Sequence, residues 1–505
     1  MNVLNKYDVY AHVSRLRQRQ MGSKDSVKDL LEHKRDDMTW RDHLVMLLHI
    51  GAEIEHSLMV QYLYAAYSLG GDQVPAQHRP MVKRWQDDIL AVAKEEMGHL
   101  LTVQNILTLL GAPINLGRMD LPWDIPFYPF PFQLEPLTLE SVACYVYAEM
   151  PSEKEFEDAR RRSSDQTLLE RYEKFDAHDR KRISAFAHKR AAKHGAHRVG
   201  ELYDEIAQLL AHRDRIPDRL FQDRTYVFQA SVDDWGRGHQ PRPRRLDAGG
   251  SFEAEKDVAV PATRQAHVMV DRVATRKQAV EAILALSKQG EAPALAEKES
   301  DELSHFDRLL EIYQGFANIR GKWQPARKVP TNPSTVHDPD PEDDSPMEYI
   351  SAKQSREWAG LFNLRYRLLL RYLAHTFQLA RTTPAGEPNL RAMVMHRVFG
   401  EMYNLKTIAG ILVRLPLSDK KSDSARAGPP FEMPYTLDLA GGEFERWAMH
   451  RDLVRSSQRL CKRLLASGST VECAYLTSLF ESDEKTAEWM KHIRDGFALT
   501  QRVAS

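Results

Sequence analysis

The fold of this chain is decided by the stretch from Ile89 to Leu107, ILAVAKEEMGHLLTVQNIL. Around it every third or fourth residue is apolar except Glu96 and His99, and residues at this spacing share one face of a helix. The members of this stripe are Trp85, Ile89, Val92, Glu96, His99, Val103, Ile106 and Leu110. A carboxylate is costly to bury in such a face unless a partner compensates for it, and a metal ion does so directly.

The preceding segment repeats the pattern with a single carboxylate. We predict a helix over residues 41–69, and the only charge on its apolar stripe is Glu55. The members of this stripe are Leu44, Leu48, Gly51, Glu55, Leu58, Tyr62, Ala65 and Leu69. Tyr62 follows Glu55 by two turns, where its hydroxyl can support a carboxylate ligand, so we take Tyr62 as the candidate catalytic residue. A neighbouring pair, Glu53 and His56, lies on another face, which we expect to be half-exposed and free of metal.

A second Glu-x-x-His pair of this kind, Glu302 and His305, lies in the sequence ESDELSHFDRLLEIY. We predict a helix over residues 294–318, whose apolar stripe continues from this pair. One Glu-x-x-His pair alone is more typical of a helix surface than of a ligand set. Two pairs, each in a core stripe and accompanied by a lone Glu, favour a buried site for two metal ions.

One further carboxylate is needed, and the sequence offers three. We favour Glu149, which lies on the apolar face of a helix predicted to begin at Thr138, although Pro151 ends that helix almost at once. Glu281 lies level with Glu302 if two later helices form a hairpin, but it is off the apolar stripe. Glu291 is the third candidate.

These residues match the ferritin-like pattern, in which two helices each supply a Glu and two others each supply Glu-x-x-His. The predicted ligands are Glu55, Glu96, His99, Glu149, Glu302 and His305. Four carboxylates balance the charge of two divalent ions, and a mixed carboxylate and imidazole set suits iron or manganese better than calcium or structural zinc. We favour iron, with manganese as the alternative.

Helical periodicity dominates the rest of the chain, so we predict an all-α fold: a ferritin-like four-helix bundle with a di-metal site, followed by a C-terminal helical region. The predicted parts are an N-terminal helical extension (1–40), the ferritin-like domain with inserted loops and helices (41–323), a Pro- and Asp-rich linker (324–346) and the C-terminal helical region (347–505). The Pro- and aromatic-rich stretch 121–132 is predicted to be a packed loop.

Composition excludes several classes of function. The 505 residues carry 70 Lys and Arg against 71 Asp and Glu, a formal net charge of −1, so no global basic field favours nucleic acid. No stretch is apolar enough for a signal peptide or a membrane span. The three cysteines form no disulfide framework. We therefore expect a cytoplasmic protein that binds neither nucleic acid nor membrane.

Four segments together resemble the ferritin-like domain of the iminophenyl-pyruvate dimer synthase family, which occurs in violacein and indolocarbazole biosynthesis. They are IGAEIEHSLMVQYLYAAYSL, ILAVAKEEMGHLLTVQNIL, LTLESVACYVYAEMP and ELSHFDRLLEIY, and the similarity covers about residues 40–320. The stretch AGPPFEMP, Ala427 to Pro434, is similar to the region that follows this domain in some relatives. The resemblance implies a four-helix di-metal bundle and an oxidative coupling of two imines derived from aromatic amino acids.

We therefore expect an oxidoreductase that uses O₂ or peroxide to oxidise or couple a small, amino-acid-derived substrate in natural-product biosynthesis, with a homo-oligomer possible. The first alternative is a catalase- or ferroxidase-type protein, because the motif EEMGH is similar to that of manganese catalases. The second alternative is a non-catalytic interaction protein on a ferritin-like scaffold, which intact ligand stripes do not favour.

Overall fold

The structure is a computed structural model that describes residues 34, 36–119, 129–162, 166–191, 198–221, 223–235, 268–291, 303–337, 347–381, 389–420, 424–467 and 472–504. These residues form two compact units. The first unit comprises the described residues within 34–115, 129–133 and 137–326, and the second comprises those within 116–119, 134–136 and 327–504. The predicted all-α fold is confirmed, since the described strands are two residues long.

The first unit contains nine described α-helices. They are α1 (Trp40–Ser68), α2 (Arg79–Leu109), α3 (Leu139–Ala148), α4 (Glu153–Arg162), α5 (Gln166–Lys174), α6 (Arg180–Arg190), α7 (Val199–Ala211), α8 (Arg276–Glu291) and α9 (His305–Ala317). Short helical turns occupy Ala76–His78, Phe175–Asp179, Asp218–Leu220, Asp223–Phe228 and Val232–Trp235.

The long helices of this unit begin and end where the sequence supplies capping groups. Thr39 caps α1 in a reciprocal pair with Asp42, and Thr138 caps α3 in the same way with Ser141. Pro80 lies in the first turn of α2, where its missing N–H is no loss. The predicted helix 41–69 therefore agrees with α1 within one residue.

Helices α1 and α2 pack along one another, and α9 packs on both α2 and α3. These four helices form the bundle around the site. Helix α7 lies on α1, and α8 packs on α7, α2 and α9. Among the described residues, α7 and α8 therefore lie against the four helices of the bundle.

An extended segment, residues 268–274, crosses α2 next to the site. Asn105 of α2 donates from Nδ2 to the carbonyl of Asp271 at 2.8 Å, and the Asp271 N–H donates to Thr102 Oγ1 at 3.1 Å. A Cβ added at Gly98 would collide with the Met269 carbonyl oxygen and would lie 2.9 Å from Val268 Cγ1. Only glycine leaves room for this crossing, which explains the Gly of the EEMGH motif.

The second unit contains four described helices and a short parallel pair of strands. They are β1 (Pro333–Ser334), β2 (Glu348–Tyr349), α10 (Lys353–Thr376), α11 (Leu390–Leu412), α12 (Glu443–Ala466) and α13 (Cys473–Ala504). Arg365 of α10 joins the helices: its buried guanidinium donates to Glu401 of α11 at 3.0 Å, to Ser457 of α12 at 2.6 Å and to Asp483 of α13.

A second buried polar chain links α10 to α12. His375 Nε2 lies 3.0 Å from Glu443 Oε2, and His375 Nδ1 lies 3.1 Å from His450 Nε2. Both imidazoles are fully buried. A carboxylate accepts from His375 Nε2–H, so neutral His375 accepts at Nδ1 the Nε2–H of His450.

Several predicted segments fall outside the described residues or differ from the expectation. Of the N-terminal extension 1–40 the structure describes only 34 and 36–40, and of the loop 121–132 only 129–132. In the predicted linker 324–346 it describes 324–337, where Asn332 and Ser334 are buried. Among the described residues no helix has the length and apolar character needed to cross a membrane.

The helix predicted over 294–318 begins at His305 instead, with Leu303 and Ser304 in non-helical conformation. The physical reason is a cap, because the Ser304 hydroxyl accepts the backbone N–H of Asp307 at 3.2 Å. The start predicted for this helix is therefore wrong.

Candidate metal centre

The first half of the site is built by the middle of α1 and α2. His99 Nδ1 lies 3.0 Å from Glu96 Oε2 and 3.4 Å from Glu55 Oε2. All three side chains are almost completely buried, and their ligand atoms lie within 4.8 Å of one another. Two carboxylates and an imidazole converge because Glu96 and His99 lie one turn apart on the face of α2 that meets α1.

The second half is built from helix ends. Glu149 is the C-cap residue of α3, and His305 is the first residue of α9. His305 Nδ1 lies 3.1 Å from Glu96 Oε1 and 3.7 Å from Glu149 Oε2. These three residues form a second buried group whose ligand atoms lie within 4.8 Å of one another.

Glu96 belongs to both groups, with one oxygen facing each histidine. The two imidazoles lie 5.5 Å apart, measured between ring centroids. Among the described residues, Glu55 Oε2, Glu96 Oε1 and His305 Nδ1 are buried without a hydrogen-bond partner. Buried polar atoms normally have partners, so the unpartnered atoms of these two groups could hold a pair of metal ions.

The outer carboxylates are each held by a tyrosine. Tyr62 of α1 donates its hydroxyl to Glu149 Oε1 at 2.6 Å, and Tyr203 of α7 donates to Glu55 Oε1. In each case the other carboxylate oxygen faces a histidine. The tyrosines therefore leave one oxygen of each carboxylate for a metal.

Each histidine is held through the nitrogen that faces away from the cluster. His99 Nε2 lies 2.8 Å from Gln289 Oε1 of α8, and His305 Nε2 lies 2.9 Å from Glu95 Oε2 of α2. An oxygen acceptor at Nε2 keeps a proton there and leaves Nδ1 for a metal, the usual role of groups behind a histidine ligand.

Burial and mutual repulsion determine the protonation of the cluster. Burial and the nearby Glu96 raise the pKa of Glu55 to about 8. Burial disfavours ionised Glu96, but His305 and His99 outweigh it and lower the pKa of that carboxyl. Burial opposes protonation of His99, whereas Glu55 and Glu96 raise the pKa of its imidazole to about 10. The carboxylates thus require positive charge among them, from protons or from metal ions.

Sequence reasoning missed Glu95, Tyr203 and Gln289. Glu95 directly precedes Glu96 and is 1% exposed. The pair of glutamates in the motif EEMGH was therefore the only hint in the sequence that Glu95 lies near the site. Tyr203 lies on the apolar face of α7, which is typical of an ordinary core residue. Nothing in the sequence indicated that α8 would bring an amide to His99.

The remaining candidates have different positions. Glu302 lies outside the described residues, so its place in the ligand set stays a prediction. Glu281, the geometric rival of Glu149, is exposed on α8 and lies 3.7 Å from Lys277. The Glu291 side chain also lies outside the described part of the chain. The structure thus brings Glu149, and not Glu281, to the other ligands.

The expectation of a half-exposed face for Glu53 and His56 is wrong. Both side chains are completely buried, and Asn115 Nδ2 donates to Glu53 Oε1 at 3.0 Å. Neither residue belongs to the metal-ligand groups found among the described residues. Helix α1 is buried around most of its circumference, so burial alone did not identify its ligand face.

A family model described as Ferritin-like matches residues 48–314, more than half of the chain. Among curated proteins, dichlorochromopyrrolate synthase from Lentzea aerocolonigenes is 26% identical over 426 residues, which cover 78% of this chain and 36% of that protein. The chain therefore spans little more than a third of the length of this relative. No solved structure matches the chain.

The matched range runs from within α1 to within α9. It contains every ligand candidate described above, and the predicted ferritin-like fold is confirmed. This chain belongs to the ferritin-like family.

Proposed function

We propose that this protein is a di-metal oxidoreductase that oxidises or couples a small organic substrate in natural-product biosynthesis. Its ligands are Glu55, Glu96, His99, Glu149 and His305, joined by Glu302. Two iron ions, or two manganese ions, would supply the redox chemistry by which O₂ or peroxide oxidises the substrate. The protein acts in the cytoplasm.

One observation carries this proposal. Glu96 presents an oxygen to each of two buried histidines, and Glu96 Oε1 and His305 Nδ1 lie 3.1 Å apart without a hydrogen bond. A core that only needed packing would place apolar residues here, because taking charged groups out of water is costly. A structural role alone gives no reason for two convergent groups.

The protein side chains contribute orientation and a proton route. Tyr62 donates to Glu149 Oε1, so its hydroxyl is placed to give a proton to that carboxylate or receive one from it. Tyr203 holds Glu55 in the same way on the opposite side. Burial of the whole cluster excludes bulk water, which protects a reactive oxidant from side reactions.

The substrate class rests on similarity. The relative is named for the synthesis of dichlorochromopyrrolate, and the four segments quoted above resemble a family that couples amino-acid-derived imines. We infer that the substrate is likewise small and amino-acid-derived.

The test is a metal analysis followed by a reactivity measurement. The protein is produced in medium supplemented with iron or manganese, and bound metal is counted per chain. The reduced, loaded protein is then exposed to O₂ or peroxide with and without aromatic amino-acid-derived imines. We expect about two ions per chain and oxidant consumption that depends on the imine. A metal content near zero contradicts the proposal, and peroxide turnover without any effect of an organic substrate favours the catalase-type alternative.

A further inference from the structure

The two histidines of the metal centre differ in what stands behind them. His99 Nε2 faces the neutral amide of Gln289, whereas His305 Nε2 faces the carboxylate of Glu95 at 2.9 Å. Glu95 is 1% exposed and His305 is fully buried. Glu95 is a fourth buried carboxylate, which adds negative charge to a core that already contains three, so it requires an explanation beyond packing.

Arg308 explains how Glu95 is tolerated. Arg308 Nη2 lies 3.4 Å from Glu95 Oε1, and Arg308 Nε donates to the carbonyl of Leu303 at 3.0 Å. The guanidinium is itself buried and lies on the first turn of α9, one turn after His305. Glu95 is thus fixed on one oxygen by a cation of α9 and uses its other oxygen for the imidazole of the same helix.

We propose that Glu95 is a positioning residue of the metal centre, which holds His305 so that Nδ1 faces Glu96 and Glu149. This inference rests on the proposed function, because it concerns the binding of metal at His305. Glu95 Oε2 accepts Nε2–H, so the proton-free nitrogen of a metal-bound imidazole is Nδ1. That atom lies 3.1 Å from Glu96 Oε1 and has no hydrogen-bond partner among the described residues.

The position of His305 makes this restraint necessary. As the first residue of α9 it lacks a preceding helical turn against which its ring could pack, whereas His99 lies within α2. Glu95 belongs to α2, next to the shared ligand Glu96. Helix α2 therefore supplies the ligand Glu96 and also Glu95, which restrains the ligand His305 of α9. These contacts fix the position of α9 relative to α2 at the site.

The experiment compares three substitutions at one position in the full chain. Glu95→Gln keeps an oxygen acceptor at the same distance and loses the charge. Glu95→Asp keeps the charge and withdraws the acceptor by one methylene. Glu95→Ala removes both. The control is Glu53→Ala, which deletes another fully buried carboxylate of the same unit that is in neither ligand group.

Binding is measured by titration with Co²⁺, whose visible absorption reports the number and geometry of the bound ions, and dissociation constants come from competition with a chelator. Loss of a group behind a histidine ligand typically costs about 10–100-fold in metal affinity. We expect that loss in Glu95→Ala, a similar loss in Glu95→Asp, and affinity and spectrum near wild type in Glu95→Gln. Glu53→Ala should bind like wild type even if its melting temperature falls.

The outcomes separate the two proposals. A wild-type protein that binds no Co²⁺ contradicts the proposed function and this inference with it. A wild type that binds two ions, with unchanged affinity and spectrum in Glu95→Ala, overturns only the role of Glu95. If Glu95→Ala does not fold, the remaining pair decides: Glu95→Asp near wild type and Glu95→Gln weakened would mean that Glu95 acts through charge, and positioning would be wrong.

Discussion

At the scale of single residues, the site depends unequally on its ligands. Glu96 takes part in both ligand groups, whereas Glu55 and Glu149 each take part in one. Removing Glu96 also leaves the two imidazoles without the carboxylate that lies nearest to both of their Nδ1 atoms. Either Glu55 or Glu149 can be lost while the other ligand group stays complete, but the loss of Glu96 leaves neither group complete.

Glu96→Ala should therefore abolish binding of both proposed metal ions and with it the proposed oxidoreductase activity, because both ligand groups lose an oxygen. Glu55→Ala should retain about one ion, since the Glu149 and His305 half remains. Elemental analysis of the purified variants gives these counts. Two ions bound to Glu96→Ala would show that the shared carboxylate is not a ligand.

A second prediction at this scale concerns His450 in the second unit. Burial is the main reason why the pKa of its imidazole lies well below the usual range, and the neighbouring His375, Arg371 and Arg446 lower it further. The rings of Tyr372 and Trp447 face it from α10 and α12 without charge. Glu443 contacts the other ring nitrogen of His375, so it lies at the far end of this series of hydrogen-bonded side chains.

The unfolded chain binds a proton at His450 near pH 6.5, whereas the folded protein does not until a much lower pH. The contribution of His450 to the free energy of unfolding therefore falls as the pH decreases below about 6.5, by up to about 1.4 kcal/mol per pH unit, and is constant above that pH. Denaturant unfolding of wild type and His450→Gln across this range should show a smaller acid loss in the variant. The exposed His396→Gln serves as the control, and equal acid losses in all three proteins would refute the assignment.

At the scale of helices, prediction from sequence succeeded where local chemistry sets the boundary. Thr39 with Asp42 and Thr138 with Ser141 are capping pairs that the chain carries within four residues, and the helices begin there. The start of α9 had a signal of the same kind in Ser304 and Asp307, but the preceding apolar spacing suggested a longer helix.

Part of the candidate site could be predicted from sequence, because a stripe of apolar residues identifies the buried face of a helix and any polar residue within that stripe. That reasoning selected Glu55, Glu96 and His99, which the structure brings together. It failed for Glu53, because α1 is buried on several faces and a single-stripe argument assumes one. Contacts from α7 and α8 depend on packing between segments far apart in the chain, which periodicity does not encode.

Gly98→Ala tests the crossing of segment 268–274 over α2. The added methyl group would meet the Met269 carbonyl, which cannot move without breaking the hydrogen bonds of Asp271. Overpacking of this kind typically lowers the free energy of unfolding by about 1–3 kcal/mol. We expect a lower melting temperature by calorimetry. Gly410→Ala, with nothing within 4 Å of the added Cβ, should be neutral or stabilising, and equal behaviour of the two variants would speak against a tight crossing.

Gly290→Ala tests how closely α8 covers the metal centre. A Cβ at this position would lie 2.8 Å from Glu149 Oε2 and 3.9 Å from His305 Nδ1. The carboxylate end can move away, so we expect the protein to fold with weakened metal binding at the half that contains Glu149. Metal titration beside a thermal melt measures both effects. Wild-type affinity in this variant would mean that α8 does not constrain Glu149.

At the scale of the whole molecule, the cluster lies entirely in the first unit. If metal binds the folded site far better than the unfolded chain, as the proposed function requires, it stabilises the fold by mass action, by about 2.7 kcal/mol for one site at free metal 100-fold above the dissociation constant. Chelation should therefore lower the melting temperature of the first unit and leave the second unaffected. Hydrogen exchange with and without chelator measures the stability of each unit separately. Equal loosening of both units, or unchanged exchange in α1 and α2, would contradict the prediction.

The two halves of the site also differ in how much chain must fold before they exist. Glu55, Glu96 and His99 come from two consecutive helices, whereas the contact between His305 and Glu95 spans 210 residues. Contacts close in sequence form sooner than distant ones, since less chain must be ordered before they are gained. During synthesis the first half can assemble while α9 is still unmade. We expect maturation in two steps, with one ion acquired early by a nascent hairpin and the second only after the late helix arrives.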